Sequence, residues 1–134
     1  SLLDVAKTIA GIGGAKIPLD WNGNSLEPWI ADPDHKWKDL AVSEYYAHYV
    51  ASGYAMIRMG NYKYTYHTSA DENHPPQREL YDIEADPGEL LNLTGNVAYE
   101  PLMRKMHAAL VEEVGEEPEK TELRCRADYE NANG

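Results

Sequence analysis

There is no phenylalanine in this chain, only one cysteine, and no apolar run approaching the ~20 residues of a membrane span. A lone thiol, Cys125, cannot close an intrachain disulfide, so nothing covalent staples the fold. Its neighbours Arg124 and Arg126 are placed to lower its pKa, although an ordinary thiol in a loose tail is the plainer reading. Basic residues are scarce as well: 12 Lys and Arg stand against 23 Asp and Glu, for a net charge of −11. They are scattered, with no run that could follow a phosphate backbone, which argues against nucleic acid and for a solvated acidic surface. Ser1-Leu2-Leu3-Asp4 lacks the basic start of a signal peptide and meets a carboxylate at once. Nucleophile elbows of the G-x-S-x-G type, Walker loops, dinucleotide fingerprints and H-E-x-x-H are all missing.

What is present is aromatic. Leu, Ile and Val number 12, 6 and 6 of 134 residues, a thin aliphatic supply for one domain. Ten Tyr, three Trp and four Met offset it, because each large ring buries substantial area. A thin core with a Tyr-rich sheet fits a piece of a larger protein better than an independent unit.

Leu2, Val5, Ala6, Ile9 and Ala10 form one helical stripe, and Gly11 with Gly13-Gly14 ends it, which predicts a helix over 2–12. An irregular linker follows, in which Ser25 is placed to cap a short helical turn through Trp29. From Leu40 the period becomes alternating: runs 40–49, 54–59 and 62–67 read as strands, and Leu80 to Glu84 as a fourth. Gly60-Asn61 is a two-residue hairpin signal in which both residues tolerate positive φ. Tyr62, Tyr64 and Tyr66 share one face of the third run. Asp86-Pro87-Gly88-Glu89 fits a type II turn with Gly88 at positive φ. A closing helix over about 97–115 carries the stripe Leu102, Met106, Leu110 and Val114 and stops at Gly115. The fold class is therefore α+β: a four-stranded antiparallel sheet packed by a C-terminal helix, preceded by an N-terminal helix and irregular linker. Its expected parts are 1–38, 39–115 and a polar, extended tail over 116–134.

Candidate chemistry is sparse. Asp82, Glu84, Asp86 and Glu89 open like a calcium loop, but Pro87 and the missing late Glu favour a turn with an acidic rim. His67 and His74 lie seven apart across a loop with Pro75-Pro76, without metal-ligand spacing. His48 sits among Tyr45, Tyr46 and Tyr49, where an aromatic rim and an imidazole could contact a small ligand; a half-buried strand histidine is the alternative. Asn92-Leu93-Thr94 matches a glycosylation sequon, a pattern common by chance.

The segment from Gly60 to Leu93, with Tyr62-Lys63-Tyr64 and then Glu79-Leu80-Tyr81-Asp82-Ile83-Glu84, Asp86-Pro87, Glu89 and Asn92-Leu93, resembles the C-terminal signature of the sulfatases, in the alkaline phosphatase superfamily. Asp4-Val5-Ala6-Lys7-Thr8 resembles the family's D-x-x-P-T helix, and Asn22-Gly23-Asn24-Ser25-Leu26-Glu27-Pro28 its D-G-x-S-L-x-P segment. Lys7 stands where the family usually has Pro, and Asn22 where it usually has Asp. Ser43-Glu44-Tyr45-Tyr46 and Met56-Ile57-Arg58 look more like the choline-sulfatase than the arylsulfatase branch. The likeness covers roughly 3–30 and 40–115.

The resemblance implies a hydrolase of sulfate esters that uses a formylglycine from C/S-x-P-S-R and a calcium-type divalent ion. Neither belongs to this chain, where Cys125 is followed by Arg126-Ala127-Asp128. The family's catalytic segments precede its first helix, so residues 1–38 are expected to end a missing N-terminal catalytic domain, the chain's partner. The chain is then a structural C-terminal portion bordering the substrate pocket and inactive alone, with Tyr46, His48 and Arg58 as candidate contacts to the sulfate ester. No nucleic acid or membrane partner is expected, and self-association stays open. Two alternatives stay open too: a module binding protein or glycan, and part of a phosphonate or phosphate ester hydrolase.

Overall fold

A computed structural model describes residues 2–47 and 49–133. The chain divides into two units, Ser1–Asp39 and Leu40–Gly134.

The first unit holds helix α1, Leu2–Ile12, and the short α2, Glu27–Ala31. The polar side of α1 straps down the loop after it. Asp4 Oδ1 accepts the Asn24 amide at 2.7 Å, and Thr8 Oγ1 accepts the Leu26 amide at 2.8 Å while donating to the Asp4 carbonyl. Lys7 Nζ donates to the carbonyls of Trp21 and Gly23, each at 3.0 Å, so this lysine binds the loop that follows. Gly23 adopts φ +93°, and a Cβ there would strike the Leu3 carbonyl at 2.7 Å. On the apolar stripe Leu2, Val5 and Ile9 are exposed. Ser25 accepts the Glu27 amide at 3.3 Å, although α2 begins one residue later than expected, after Leu26.

The second unit is a meander. Strands β1 (Leu40–Tyr45), β2 (Tyr54–Met59), β3 (Tyr62–His67) and β4 (Gln77–Asp82) pair antiparallel in the order β1-β2-β3-β4. Two strands differ from expectation. β1 ends at Tyr45 rather than Tyr49, because Ala47 and Tyr49 take φ +58° and +56°, incompatible with strand pairing. β4 starts three residues before Leu80 and stops at Asp82, whose carboxylate turns the chain by accepting the amides of Glu84 and Ala85.

Period-2 alternation puts Val42, Ile57, Tyr64 and Leu80 in one cross-strand row, flanked by Ala55 and Tyr66. Helix α3, Glu100–Val114, follows two 3₁₀ turns (Leu93–Gly95 and Val97–Tyr99) and buries Met103, Met106 and Leu110 in the same core. Met103 takes a place the predicted stripe gave to Leu102, which is only partly buried. Gly115 closes α3 in the left-handed conformation, its amide bonding the Val111 carbonyl.

Residues 118–133 are not extended as expected; they form helix α4, Pro118–Asn133. The segment opens on proline with Glu119 in its first turn, and continues with good helix formers. Pro118 and Glu122 are fully buried, which anchors an otherwise polar helix.

Candidate functional site

The connection from β1 to β2 carries two of the three residues that sequence singled out, Tyr46 and His48, and its backbone is strained. Ala47 and Tyr49 hold the left-handed region without being glycine, at a cost of ~1–2 kcal/mol each. Such conformations persist only where surroundings enforce them. For Ala47 the enforcement comes from α4. Glu122, 1% exposed, accepts the Ala47 amide on Oε2 at 3.2 Å. Its Oε1 lies 2.5 Å from Arg126 Nε, an ion pair without hydrogen-bond alignment, so Oε1 has a charge partner but no aligned donor. Arg126 Nη2 also donates to the Ala51 carbonyl at 2.5 Å.

The far end of the connection is pinned to β3. Gly53 and Thr68 exchange bonds, Gly53 N to Thr68 Oγ1 and Thr68 N to the Gly53 carbonyl, both 2.9 Å; Ser52 Oγ donates to the Thr68 carbonyl at 2.6 Å. No side chain fits at Gly53: a Cβ would run into the Glu122 carboxylate, Tyr46 Cδ1 at 2.6 Å and the Tyr45 carbonyl at 2.9 Å.

The candidate contact residues are dispersed. Tyr46 packs against the core, its hydroxyl donating to Glu44 Oε1 at 3.0 Å. Burial, then the Glu44 charge, pushes the Tyr46 phenol far up, so it stays protonated. Arg58 is exposed on the opposite sheet face, where it pairs with Ala41 at the other end of β1. The sheet therefore does not bring Tyr46 and Arg58 together. His48 lies outside the described residues. Tyr45, Tyr54 and His67 form an aromatic row near the connection, with ring centroids 6.5 and 6.4 Å apart.

Several other titratable groups brace turns. His74 Nδ1 meets Asp71 at 2.8 Å, and that contact holds the Asp71 carboxyl below its usual range. Lys63 pairs with Glu89 and Asn61 with Glu84, while Asp86 Oδ2 accepts the Leu91 amide at 2.8 Å. Among the described residues, no group of three or more His, Cys, Asp or Glu could hold a metal ion, and no helix is long and apolar enough to cross a membrane.

Beside α3 lies a groove of about 400 Å³, lined among others by Arg78, Arg104, His107 and Glu117. His107 bridges the Tyr64 hydroxyl (3.2 Å) and Glu117 (3.0 Å). Arg78 sits 5.6 Å over the Tyr66 ring. Sequence reasoning gave no such role to His107, Glu119, Glu122 or Arg126. The signal for the last three was the i, i+3, i+7 spacing after Pro118, which puts them on one helix face.

Residues 1–116 match the family described as "N-sulphoglucosamine sulphohydrolase, C-terminal". The chain is 31% identical over 114 residues to the Delta 4,5-hexuronate-2-O-sulfatase of Bacteroides thetaiotaomicron, covering 83% of this chain and 22% of that protein. It is 31% identical over 100 residues to arylsulfatase K of Canis lupus familiaris, covering 69% and 18%. A solved structure in complex with its substrate, D-glucosamine-2-N,6-O-disulfate, superposes with a TM-score of 0.68 at 26% identity, over 81% of this chain and 22% of that one. The chain thus spans about a fifth of the length of the relatives it matches.

Proposed function

Because the chain belongs to the N-sulphoglucosamine sulphohydrolase C-terminal family, we propose that it forms the C-terminal module of a longer hydrolase that cleaves sulfate esters of sugars. The family match across 1–116 carries this reading. The sugar is inferred from the relatives, one named for a hexuronate 2-O-sulfate and one holding a disulfated glucosamine.

In such an enzyme the nucleophile and a calcium-type divalent ion would come from the rest of the protein. The residues of this chain do not fit either group: C/S-x-P-S-R is missing, and among the described residues no three His, Cys, Asp or Glu converge as metal ligands. What the chain supplies is scaffold and border. The exposed stripe of α1, with Leu2, Val5 and Ile9, is an apolar surface that a preceding catalytic domain would cover. The strained β1–β2 connection would border the sugar. Tyr46 would offer a ring edge there, and Arg58, from its separate position, a guanidinium to a sulfate or carboxylate.

The test is turnover by the longer protein that contains this chain, supplied with calcium. Sulfate release from an unsaturated 2-O-sulfated uronic disaccharide is expected, with none from residues 1–134 alone. Release of phosphate or phosphonate esters in its place would move the assignment within the superfamily. Saccharide binding without any turnover would make the chain a glycan-binding module instead.

A further inference from the structure

Helix α4 lies wholly beyond the residues that match the family, yet it makes the contacts that hold the β1–β2 connection in its strained form. We propose that α4 is a clamp on this connection, with Glu122 as its positioning residue, and that the clamp tunes how the module receives a sulfated saccharide. The second half of that statement rests on the function proposed above; the first does not.

Three residues on one face of α4 reach three different places. Glu119 Oε1 accepts the Ser69 amide at 2.9 Å and the Tyr66 hydroxyl at 3.3 Å, which seats the start of the helix beyond the end of β3. One turn on, Glu122 accepts the Ala47 amide, and a further turn on, Arg126 takes the Ala51 carbonyl. The helix thus grips the connection by an amide on one side of its bend and a carbonyl on the other. Glu122 and Arg126 also neutralise each other, so the buried carboxylate is not left as an isolated charge.

These contacts are polar, and the apolar residues of α4 do not replace them. Leu123 and Tyr129 are exposed, so the helix is not held by a large apolar face. Gly53 completes the device, because only a residue without a side chain leaves room for the Glu122 carboxylate beside Tyr46. The left-handed Ala47 presents its amide to that carboxylate. Without the acceptor, the Ala47 amide loses its bond to Glu122, and the connection should relax toward ordinary φ at that residue.

Glu122 bonds the backbone of the connection at Ala47, so its effect on a saccharide would pass through backbone position. Amide hydrogen exchange on residues 1–134 tests the clamp without any turnover. In Glu122→Ala, exchange at Ala47 and residues 49–53 should rise about tenfold or more, while Tyr54–Met59 and Tyr62–His67 stay protected. Glu122→Gln keeps an acceptor oxygen for Ala47 and should restore much of that protection. Arg126→Met, a more exposed site, should loosen Ala51 even if Glu122→Ala fails to fold. Unchanged exchange at Ala47 and Ala51, or equal loosening of the whole sheet, would overturn the clamp.

The saccharide half is read in the longer protein as a split between KM and kcat. Glu122→Ala, or Arg126→Met where that variant fails to fold, should raise KM for the sulfated disaccharide several-fold at near-constant kcat, and leave hydrolysis of a small aryl sulfate unaltered, while Glu122→Gln should stay closer to the unsubstituted protein. Equal loss on both substrates would reduce Glu122 to a structural residue. If the unsubstituted longer protein releases no sulfate, the proposed function fails, while the exchange result still decides the clamp.

Discussion

Tyr64 shows how one residue type can serve as both core and network. Its ring is fully buried in the cross-strand row, and its hydroxyl ends at His107. Burial is the main reason its phenol is pushed up to about 12. An unfolded tyrosine ionises near 10, so this group favours the folded state fully below pH ~10 and loses that contribution as pH rises toward 12. Alkaline unfolding followed by circular dichroism should therefore be steep between those values and shallower in Tyr64→Phe; an identical slope would contradict it. Gly53 carries a second prediction. Gly53→Ala forces atoms against the Tyr45 carbonyl and the Tyr46 ring, so denaturant melts should show a loss of about 1–3 kcal/mol. The tyrosine face was legible because alternation is a local pattern. The role of Glu122 was not, since a glutamate in a polar run looks solvated until its partner 75 residues away is known.

At the scale of elements, strands and helices followed period and punctuation wherever side chains set the period. The 54–59 and 62–67 strands, the first helix and the Gly115 stop stand where the pattern put them. Turns were less legible, because the residue that bends is not always the one that bends most easily. In the Gly60-Asn61 hairpin only Gly60 takes positive φ (+55°). Gly60→Ala should cost about 1 kcal/mol in thermal or denaturant melts, and no loss would mean the hairpin has changed type. In the turn at Asp86 the 86-to-89 hydrogen bond forms at 3.0 Å, but Glu89 rather than Gly88 is left-handed (φ +52°), so it is not type II. The pairing of Glu89 with Lys63 and the Asp86 bond to Leu91 fix that geometry. Helix α4 was misread for a related reason: its polar composition hides anchors that appear only once the β1–β2 connection has folded beneath it.

For the molecule as a whole, the second unit has its own core, and among the described residues none of that core comes from the first. Trypsin acting at Lys36, in an exposed stretch, should release a fragment that keeps a cooperative transition and its tyrosine near-ultraviolet signal. Loss of that signal would mean that residues 1–39 complete the fold. The strapping of the first unit by Asp4, Lys7 and Thr8 was not legible in the sequence, because each contact joins residues 14 to 20 positions apart. The meander also sets an order of events. Each strand pairs with its neighbour in sequence, so the sheet closes short loops and can assemble quickly. The bonds from Ala47 to Glu122 and from Arg126 to Ala51 each close 75 residues, the largest separation among the hydrogen bonds described, and so carry the largest loop entropy. The clamp is thus expected to lock after the sheet has paired, and on a ribosome it could lock only once helix α4 has emerged.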